Sequence, residues 1–466
     1  MLLKTNRSIN WRLLLLVSLS GLLPACSDKG VELLAETGEL VVLTRNAPTT
    51  WFEGREGPAG PEYDLINAFA SSHRLKVRFE IKNSIDDILD AIRTNKAHLV
   101  AAGITRTDLR DEQGYIFGPE YQQVQQLVIC RRGNNIPDKP EGLVGMNIAI
   151  IAGSSYEETL TELKQDITGL KWKTVADMDT EQLLESVWKK ELDCTISDSN
   201  IFSISQRFYP ELVAAFPVSE NESLAWVLAP EWQGLYDDIE TWLEKIQDSG
   251  ELASINDRYY GHVENYDYVD ISRFKRRIKK RLPKYKSLFI KAAEKYDIPW
   301  TLLAAQAYQE SHWNEKSRSP TGVRGLMMLT LRTAKSLGVE NRLDPKNSIF
   351  GGTRYLNRLL KRVPEQVSGQ DRIWYALAAY NVGFGHMMDA RMLASQLGKD
   401  PDLWVSLKEV LPLLSKKQHY RSLPHGYARG TEPVRYVQRI REYQQVLEQL
   451  LETRFITEDK IAQMGY

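Results

Sequence analysis

Near residue 270 the hydrophobic period of the chain changes, and this constrains the fold more than any single motif does. Between Gly38 and about Gly261, short β-branched runs at 39–45, 76–81 and 98–104 alternate with stretches of helical period at 64–72 and 85–95. Strands interleaved with short helices predict βαβ units and a mostly parallel sheet. After a polar stretch holding Pro137 and Pro140 the pattern restarts at 147–151, which predicts two similar α/β lobes. Beyond Asp270 the period is helical almost throughout, over 284–296, 299–311, 330–337, 349–362, 371–381, 402–414 and 433–451. This half is expected to be an all-α domain of about seven helices. The chain is therefore read as a multidomain α and β protein, a two-lobed α/β module followed by an all-α domain.

The length, 466 residues, suits two or three domains. Hydrophobic residues make up 42%, with 11 Trp, 21 Tyr and 12 Phe, which excludes a mainly disordered, collagen-like or coiled-coil chain. A formal net charge of −1 conceals a division at the same place as the change of period. Residues 271–466 hold 35 Lys and Arg against 18 Asp and Glu, a balance of +17; residues 1–270 hold 25 against 43, a balance of −18. Two unrelated domains would give this division, and so would a basic half that meets a polyanion.

Lys4, Arg7 and Arg12 accompany an apolar run over 13–23 that is too short to span a bilayer, followed by Leu23-Pro24-Ala25-Cys26. Residues 1–25 read as an export signal. A small residue before a cysteine resembles a bacterial lipoprotein cleavage box, with Cys26 as the lipid-bearing residue; Pro24 departs from that box, and an ordinary signal peptide cut nearby is the other reading. Ser27 after the cysteine favours the outer membrane. The mature chain is thus expected on the periplasmic face of the outer membrane, in its inner leaflet, peripheral or lipid-anchored. Only Cys130 and Cys194 remain, which excludes a disulfide framework or a cysteine-rich metal site. Export permits one bridge; the apolar contexts LVICRR and LDCTIS fit two buried free thiols equally.

In the acidic half the pieces GELVVLTRNAP at Gly38, PEYDLINAFA at Pro61, AGITRTDLRDE at Ala102, FGPEY at Phe117, GMNIAIIAGSSYEETL at Gly145 and LDCTISDSN at Leu192 occur in order, with WLEKIQDSGELASINDRYYG near Trp242. This half, over 31–267, resembles the family 3 periplasmic solute-binding proteins. The resemblance implies that Arg110 pairs bidentately with a ligand carboxylate, a geometry that suits a guanidinium fork. Ser154, at a turn into the helix holding Tyr156, would offer donors to the same anion, and Asp198 would face an amino group. Taken singly, Arg110 could be a surface residue, Ser154 a helix cap and Asp198 a loop carboxylate. The implied ligand is an amino acid or a muropeptide.

The basic half opens with FKRRIKKRLPKYK at Phe274, whose interleaved Phe274, Ile278, Leu282 and Tyr285 fit the docking face of a first helix. Export argues against a nucleic-acid partner. An Ala-rich helix from Pro299, read as its N1 residue, ends on Gln309-Glu310-Ser311. A helix end buried against a glycine-shaped loop raises a carboxyl pKa and keeps it protonated near neutrality, as a general acid for a glycosidic oxygen requires. Glu310-Ser311, the S-x-x-G-x-x-G-L-M run from Ser319 through Gly325 to Met327, Ala379-Tyr380-Asn381, and Tyr436-Val437-x-Arg439-Ile440 follow one another over about 130 residues. They resemble the lysozyme-like lytic transglycosylases that cleave peptidoglycan, and residues 270–466 are identified as such a catalytic domain. A solute-binding module fused before it resembles one subfamily, the membrane-bound lytic transglycosylases F. Met328 and Glu315 stand where most of the wider family has Gln and Pro.

The resemblance implies that Glu310 alone acts as acid and then as base, because no second acid occupies a comparable motif. It would protonate the oxygen between N-acetylmuramic acid and N-acetylglucosamine, then deprotonate the muramoyl C6 hydroxyl as that group attacks its own anomeric carbon. A 1,6-anhydromuramoyl end forms without water, a route favoured by the effective molarity of intramolecular attack. Ser311 would orient Glu310 or cap its helix, Asn381 would bind the muramoyl ring, and Tyr436 would hold Glu310 in position. His312, His386, His419 and His425 lack metal spacing, and no phosphate-binding loop is present, so no cofactor or metal is expected. The expected partners are peptidoglycan glycan strands, a small ligand and the outer membrane surface. Two alternatives are a sensory lipoprotein with a catalytically silent wall anchor, and a hydrolase of the lysozyme type.

Overall fold

The computed structural model describes residues 34–54, 57–133, 135–176, 178–206, 208–261, 268–319 and 322–463; Cys26 and the export signal lie outside them. The strands are β1 (Glu39–Thr44), β2 (Phe52–Gly54), β3 (Gly57–Ala59), β4 (Lys76–Ile81), β5 (Leu99–Val100), β6 (Ile116–Arg131), β7 (Ala149–Ile151), β8 (Lys173–Val175), β9 (Cys194–Asp198) and β10 (Leu212–Leu228). Six of them form one sheet in the order β4-β1-β5-β10-β6-β9. β1 is parallel to both β4 and β5. Its run ELVVLT is almost continuously apolar because a central strand is buried on both faces, whereas KVRFEI in the edge strand β4 alternates.

The sheet is mixed rather than mostly parallel: β10 is antiparallel to β5 and β6, and β6 to β9. The reason is mechanical. β6 and β10, of 16 and 17 residues, pair as a ribbon that runs through both lobes, with register shifts between Pro217 and Asn221 where it crosses. One lobe packs Leu40, Val42, Leu65, Phe69, Trp226 and Trp242. The other packs Val128, Ile148, Ile150, Tyr156, Leu160 and Ile196, with β7 parallel to β8. Cys130 and Cys194, paired in register on β6 and β9, form a disulfide, so the free-thiol reading does not hold.

From Tyr268 the described chain is helical: Tyr268–Lys280, Lys286–Tyr296, Trp300–Ser311, Leu331–Ser336, Pro345–Leu360, Asp371–Val382, Phe384–Gln396, Trp404–Val410, Lys417–Tyr420 and Thr431–Gln463. Phe274 is fully buried, its ring against those of Tyr308, Trp313 and Tyr443. The apolar residues of the basic run therefore serve as a docking face. The halves meet at Asp257, in the helix Glu251–Tyr260 of the acidic half. Arg441 donates from Nη1 to Asp257 Oδ2 at 2.7 Å and from Nη2 to the Asp257 carbonyl, while Lys408 Nζ lies 2.6 Å from Oδ1. Burial pushes this carboxyl up, but Arg441 and Lys408 outweigh it and hold it below the usual range. The Arg441 guanidinium also stacks over Trp374 at 4.8 Å.

Candidate active site and ligand cleft

Glu310 stands in the last turn of the helix Trp300–Ser311, for which Pro299 is the N-cap rather than the N1 residue. Ala304, Ala305 and Ala307 are fully buried, and these small side chains let the long helix Thr431–Gln463 lie close alongside. The helix ends on two consecutive left-handed residues, His312 (φ 53°) and Trp313 (φ 54°). Buried Trp313 returns its Nε1–H to the Ala304 carbonyl at 2.9 Å, which holds this uncommon backbone in place.

The glycine-shaped loop is tied to that helix end. The Ser311 hydroxyl sits between the carbonyls of Ala307 (3.0 Å) and Leu326 (2.9 Å), so it staples loop to helix. Gly325 has φ 86°, and a Cβ there would lie 1.8 Å from the Arg342 carbonyl oxygen, so only glycine fits. Met327 is fully buried and acts as core; its amide donates to Ser348 Oγ at 3.1 Å and its carbonyl accepts from Tyr380 at 2.8 Å. Ser319 closes a turn, accepting from the Val323 amide at 3.2 Å. Asn381 is exposed at the end of the helix Asp371–Val382.

Tyr436, 5% exposed, donates to Glu310 Oε1 at 2.5 Å and accepts from Gln306 Nε2 at 3.1 Å. Burial pushes the Glu310 carboxyl up to about 8, with the Tyr436 hydrogen bond opposing. No charged group contributes to the shift. Glu315, only five residues on, behaves in the opposite way: hydrogen bonds from Lys284 Nζ (2.9 Å) and Tyr285 (3.0 Å) hold it below the usual range. It is committed to that pair, whereas the Glu310 carboxyl meets the Tyr436 hydroxyl. A carboxyl kept neutral at physiological pH at the end of an apolar helix can donate a proton to a leaving oxygen.

In the acidic half, Arg110, Ser154 and Asp198 line one small cavity with Arg45, Tyr156 and Thr180. The cavity lies at the carboxyl ends of β1 and β9, the usual place for a ligand in an open α/β sheet. Arg110 bridges the lobes, donating to the carbonyls of Thr105 (2.7 Å) and Gly153 (3.1 Å), with Glu158 Oε1 at 3.4 Å from its Nε. Ser154 Oγ donates to the Ile151 carbonyl at 2.6 Å. Asp198 is buried with Oδ1 unpartnered, and desolvation, opposed by Arg45, raises it to about 7.

Sequence reasoning missed Arg45 and Gln306. Arg45 has a buried, unpartnered Nε, and its charge acts on Glu62, Glu181 and Asp198 together. Its position just past β1 was the available signal. For Gln306 the signal was helical spacing, four residues before Glu310 on one face. Among the described residues no cluster of His, Cys, Asp and Glu could hold a metal ion.

Residues 40–262 match the family model for bacterial extracellular solute-binding proteins, family 3, and residues 287–402 match that for the transglycosylase SLT domain. A protein of Maricaulis maris named membrane-bound lytic murein transglycosylase F is 47% identical over 89% of this chain and 91% of its own length. A protein of the same name from Aliivibrio fischeri is 42% identical over 92% of this chain and 87% of its own length. Among solved structures, an ancestral arginine-binding protein bound to arginine is similar over 48% of this chain and 98% of that one, with 23% identity and a TM-score of 0.44. An α/β solute-binding module followed by an SLT domain, matched at this identity over nine-tenths of its length, places the chain: it belongs to the membrane-bound lytic murein transglycosylase F family.

Proposed function

We propose that Glu310 is the single acid–base group with which this peptidoglycan lytic transglycosylase cleaves the β-1,4 bond between N-acetylmuramic acid and N-acetylglucosamine. As a neutral acid it gives its proton to the glycosidic oxygen while the bond to the muramoyl anomeric carbon breaks. The resulting carboxylate takes the proton of the C6 hydroxyl as that oxygen bonds to the same carbon. Glu310 ends protonated, no water is consumed, and the product carries a 1,6-anhydromuramoyl end. The observation that carries this reading is a carboxyl pushed up to about 8 by burial, with no second carboxylate contributing to its shift. Two-carboxylate glycosidases need such a partner as base or nucleophile. Ser311, Gly325 and Met327 shape the wall beside it, and Ser319 and Asn381 contact the glycan. Digestion of purified sacculi tests the assignment. Glu310→Gln abolishes release of soluble fragments, and mass spectrometry of wild-type products finds ends lighter by one water; predominantly hydrated ends would refute the intramolecular route.

The acidic half is proposed to bind an amino acid or muropeptide between its lobes, with Arg45 and Arg110 facing the ligand's carboxylate and Asp198 its amino group, and to regulate the enzyme through that ligand. Buried Arg110 and half-buried Arg45, beside a buried unpartnered carboxylate oxygen, suit a zwitterion. A thermal-shift screen of amino acids and wall peptides, followed by turnover assays with any hit, checks both parts; binding with no change in rate removes the regulation. The proposed division is an export signal at 1–25, the ligand module at 31–267 and the catalytic domain at 270–466. No helix among the described residues is long and apolar enough to cross a membrane. Lipid on Cys26 is the proposed anchor to the periplasmic face of the outer membrane, and loss of incorporated fatty acid in Cys26→Ala is the check.

A further inference from the structure

We infer that Gln306 is a positioning residue that decides which oxygen of Glu310 carries the acid proton. The inference rests on the reading of Glu310 as the general acid and adds a residue to it. A tyrosine hydroxyl has one proton to give and accepts through its lone pairs. Tyr436 Oη accepts from Gln306 Nε2 at 3.1 Å, so its own proton is directed to the other neighbour, Glu310 Oε1, at 2.5 Å. In a neutral carboxyl the carbonyl oxygen is much the stronger acceptor, so the oxygen that accepts this bond is the unprotonated one. In the neutral carboxyl the O–H is therefore on Oε2, free to meet a substrate. The opposite arrangement, with Oε1–H donating to Tyr436, would aim the tyrosine proton at the amide N–H and set donor against donor.

Two further observations support a directed chain. Gln306 is fully buried between Ala305 and Ala307, in a helix where alanine or leucine would pack without polar cost. Its Oε1 has no hydrogen-bond partner. A buried amide that satisfies one end and leaves the other orphaned is unfavourable for stability alone, and here the satisfied end is the one that orients Tyr436. Gln306 and Tyr436 are 130 residues apart, so the chain exists only in the folded domain.

The test compares Gln306→Leu and Gln306→Met with the full-length wild-type protein. Both variants should keep or raise Tm, because the orphaned acceptor is gone. Both should lose about tenfold in kcat with KM unchanged, the rate equivalent of one hydrogen bond. The upper limb of the pH–rate profile should move to higher pH, because a Tyr436 no longer polarised by the amide stabilises the Glu310 carboxylate less. In a Tyr436→Phe background the same substitutions should have no further effect. An unchanged kcat and pH profile in both variants, or an equal loss in the Tyr436→Phe background, overturns the inference. Glu310→Gln separates the levels: if it stays active the general-acid reading fails, whereas an inactive Glu310→Gln beside an unaltered Gln306→Leu overturns only the role of Gln306.

Discussion

Two carboxyls raised by desolvation, half-buried Glu310 in the basic half and buried Asp198 in the acidic half, differ in what surrounds them. Glu310 and Asp198 are both raised by burial, to about 8 and about 7. Around Glu310 the only opposing contact is a neutral tyrosine, so nothing draws its proton away until a leaving oxygen arrives. Asp198 shares its cavity with Arg45 and Arg110, and its Oδ1 has no partner. In the proposed roles, the isolated raised carboxyl holds a proton for transfer, and the raised carboxyl among cations holds a place for a ligand's donor. The surroundings, not the size of the shift, divide the roles.

The comparison breaks most decisively at Glu310. Glu310→Gln should lower fragment release from sacculi by about a thousandfold, within the range for loss of general acid–base catalysis, while Asp198→Asn should leave unliganded turnover within about twofold of wild type. Next in size is the contact between the halves. Asp257→Ala strands two cations, of which Arg441 is buried, and should cost about 3 kcal/mol in chemical denaturation. Because the folded carboxyl of Asp257 is held below its ordinary range, its contribution is present above that range and disappears as pH falls through the folded value.

A smaller effect sharpens the comparison itself. A carboxyl raised on folding binds more protons folded than unfolded, so stability falls as pH rises from the ordinary value to the folded one. For Glu310 that window runs from 4.5 to about 8, and for Asp198 from 3.8 to about 7. Glu310→Gln and Asp198→Asn should each therefore raise Tm at pH 8 by about 2–4 °C, with the gain vanishing at the acid end of each window. Only Glu310 should also define the upper limb of the wild-type pH–rate profile, near pH 8. Smallest is the surface depression lined by Lys416, Lys417, Gln418, Arg421 and Ser422. Reversing its three charges should weaken binding to anionic sacculi about threefold at low salt and negligibly at 0.5 M, because exposed charges are screened.

Legibility followed locality. KVRFEI alternates between exposed and half-buried positions, and the expected span 76–81 is the one it occupies in β4. The strand expected at 98–104 shrinks to Leu99–Val100, because the chain leaves the sheet toward the cleft through Gly103 at φ 63°. The helix Phe384–Gln396 was missed: Met, Ala and Gly are distributed around it without a clean apolar stripe, and Gly383 and Gly385 resemble a loop. At the candidate site, Glu310 stands out in the sequence because its motif is contiguous. Gln306 does not, since an amide inside an apolar helix acquires meaning only from the Tyr436 hydroxyl that the fold brings to it. Arg45 was overlooked for the same reason, its significance lying in acidic groups from Glu62 to Asp198.

The helix Thr431–Gln463 carries Tyr436, which touches the acid, and Arg441, which grips Asp257 of the other half. Five residues of helix separate them, about 7.5 Å along one rigid axis. For a geneticist this has a practical meaning: substitutions on the Glu251–Tyr260 helix, which carries none of the proposed catalytic residues, are expected to score as active-site alleles. A screen for altered wall cleavage should recover them in a half of the gene that encodes no catalytic group.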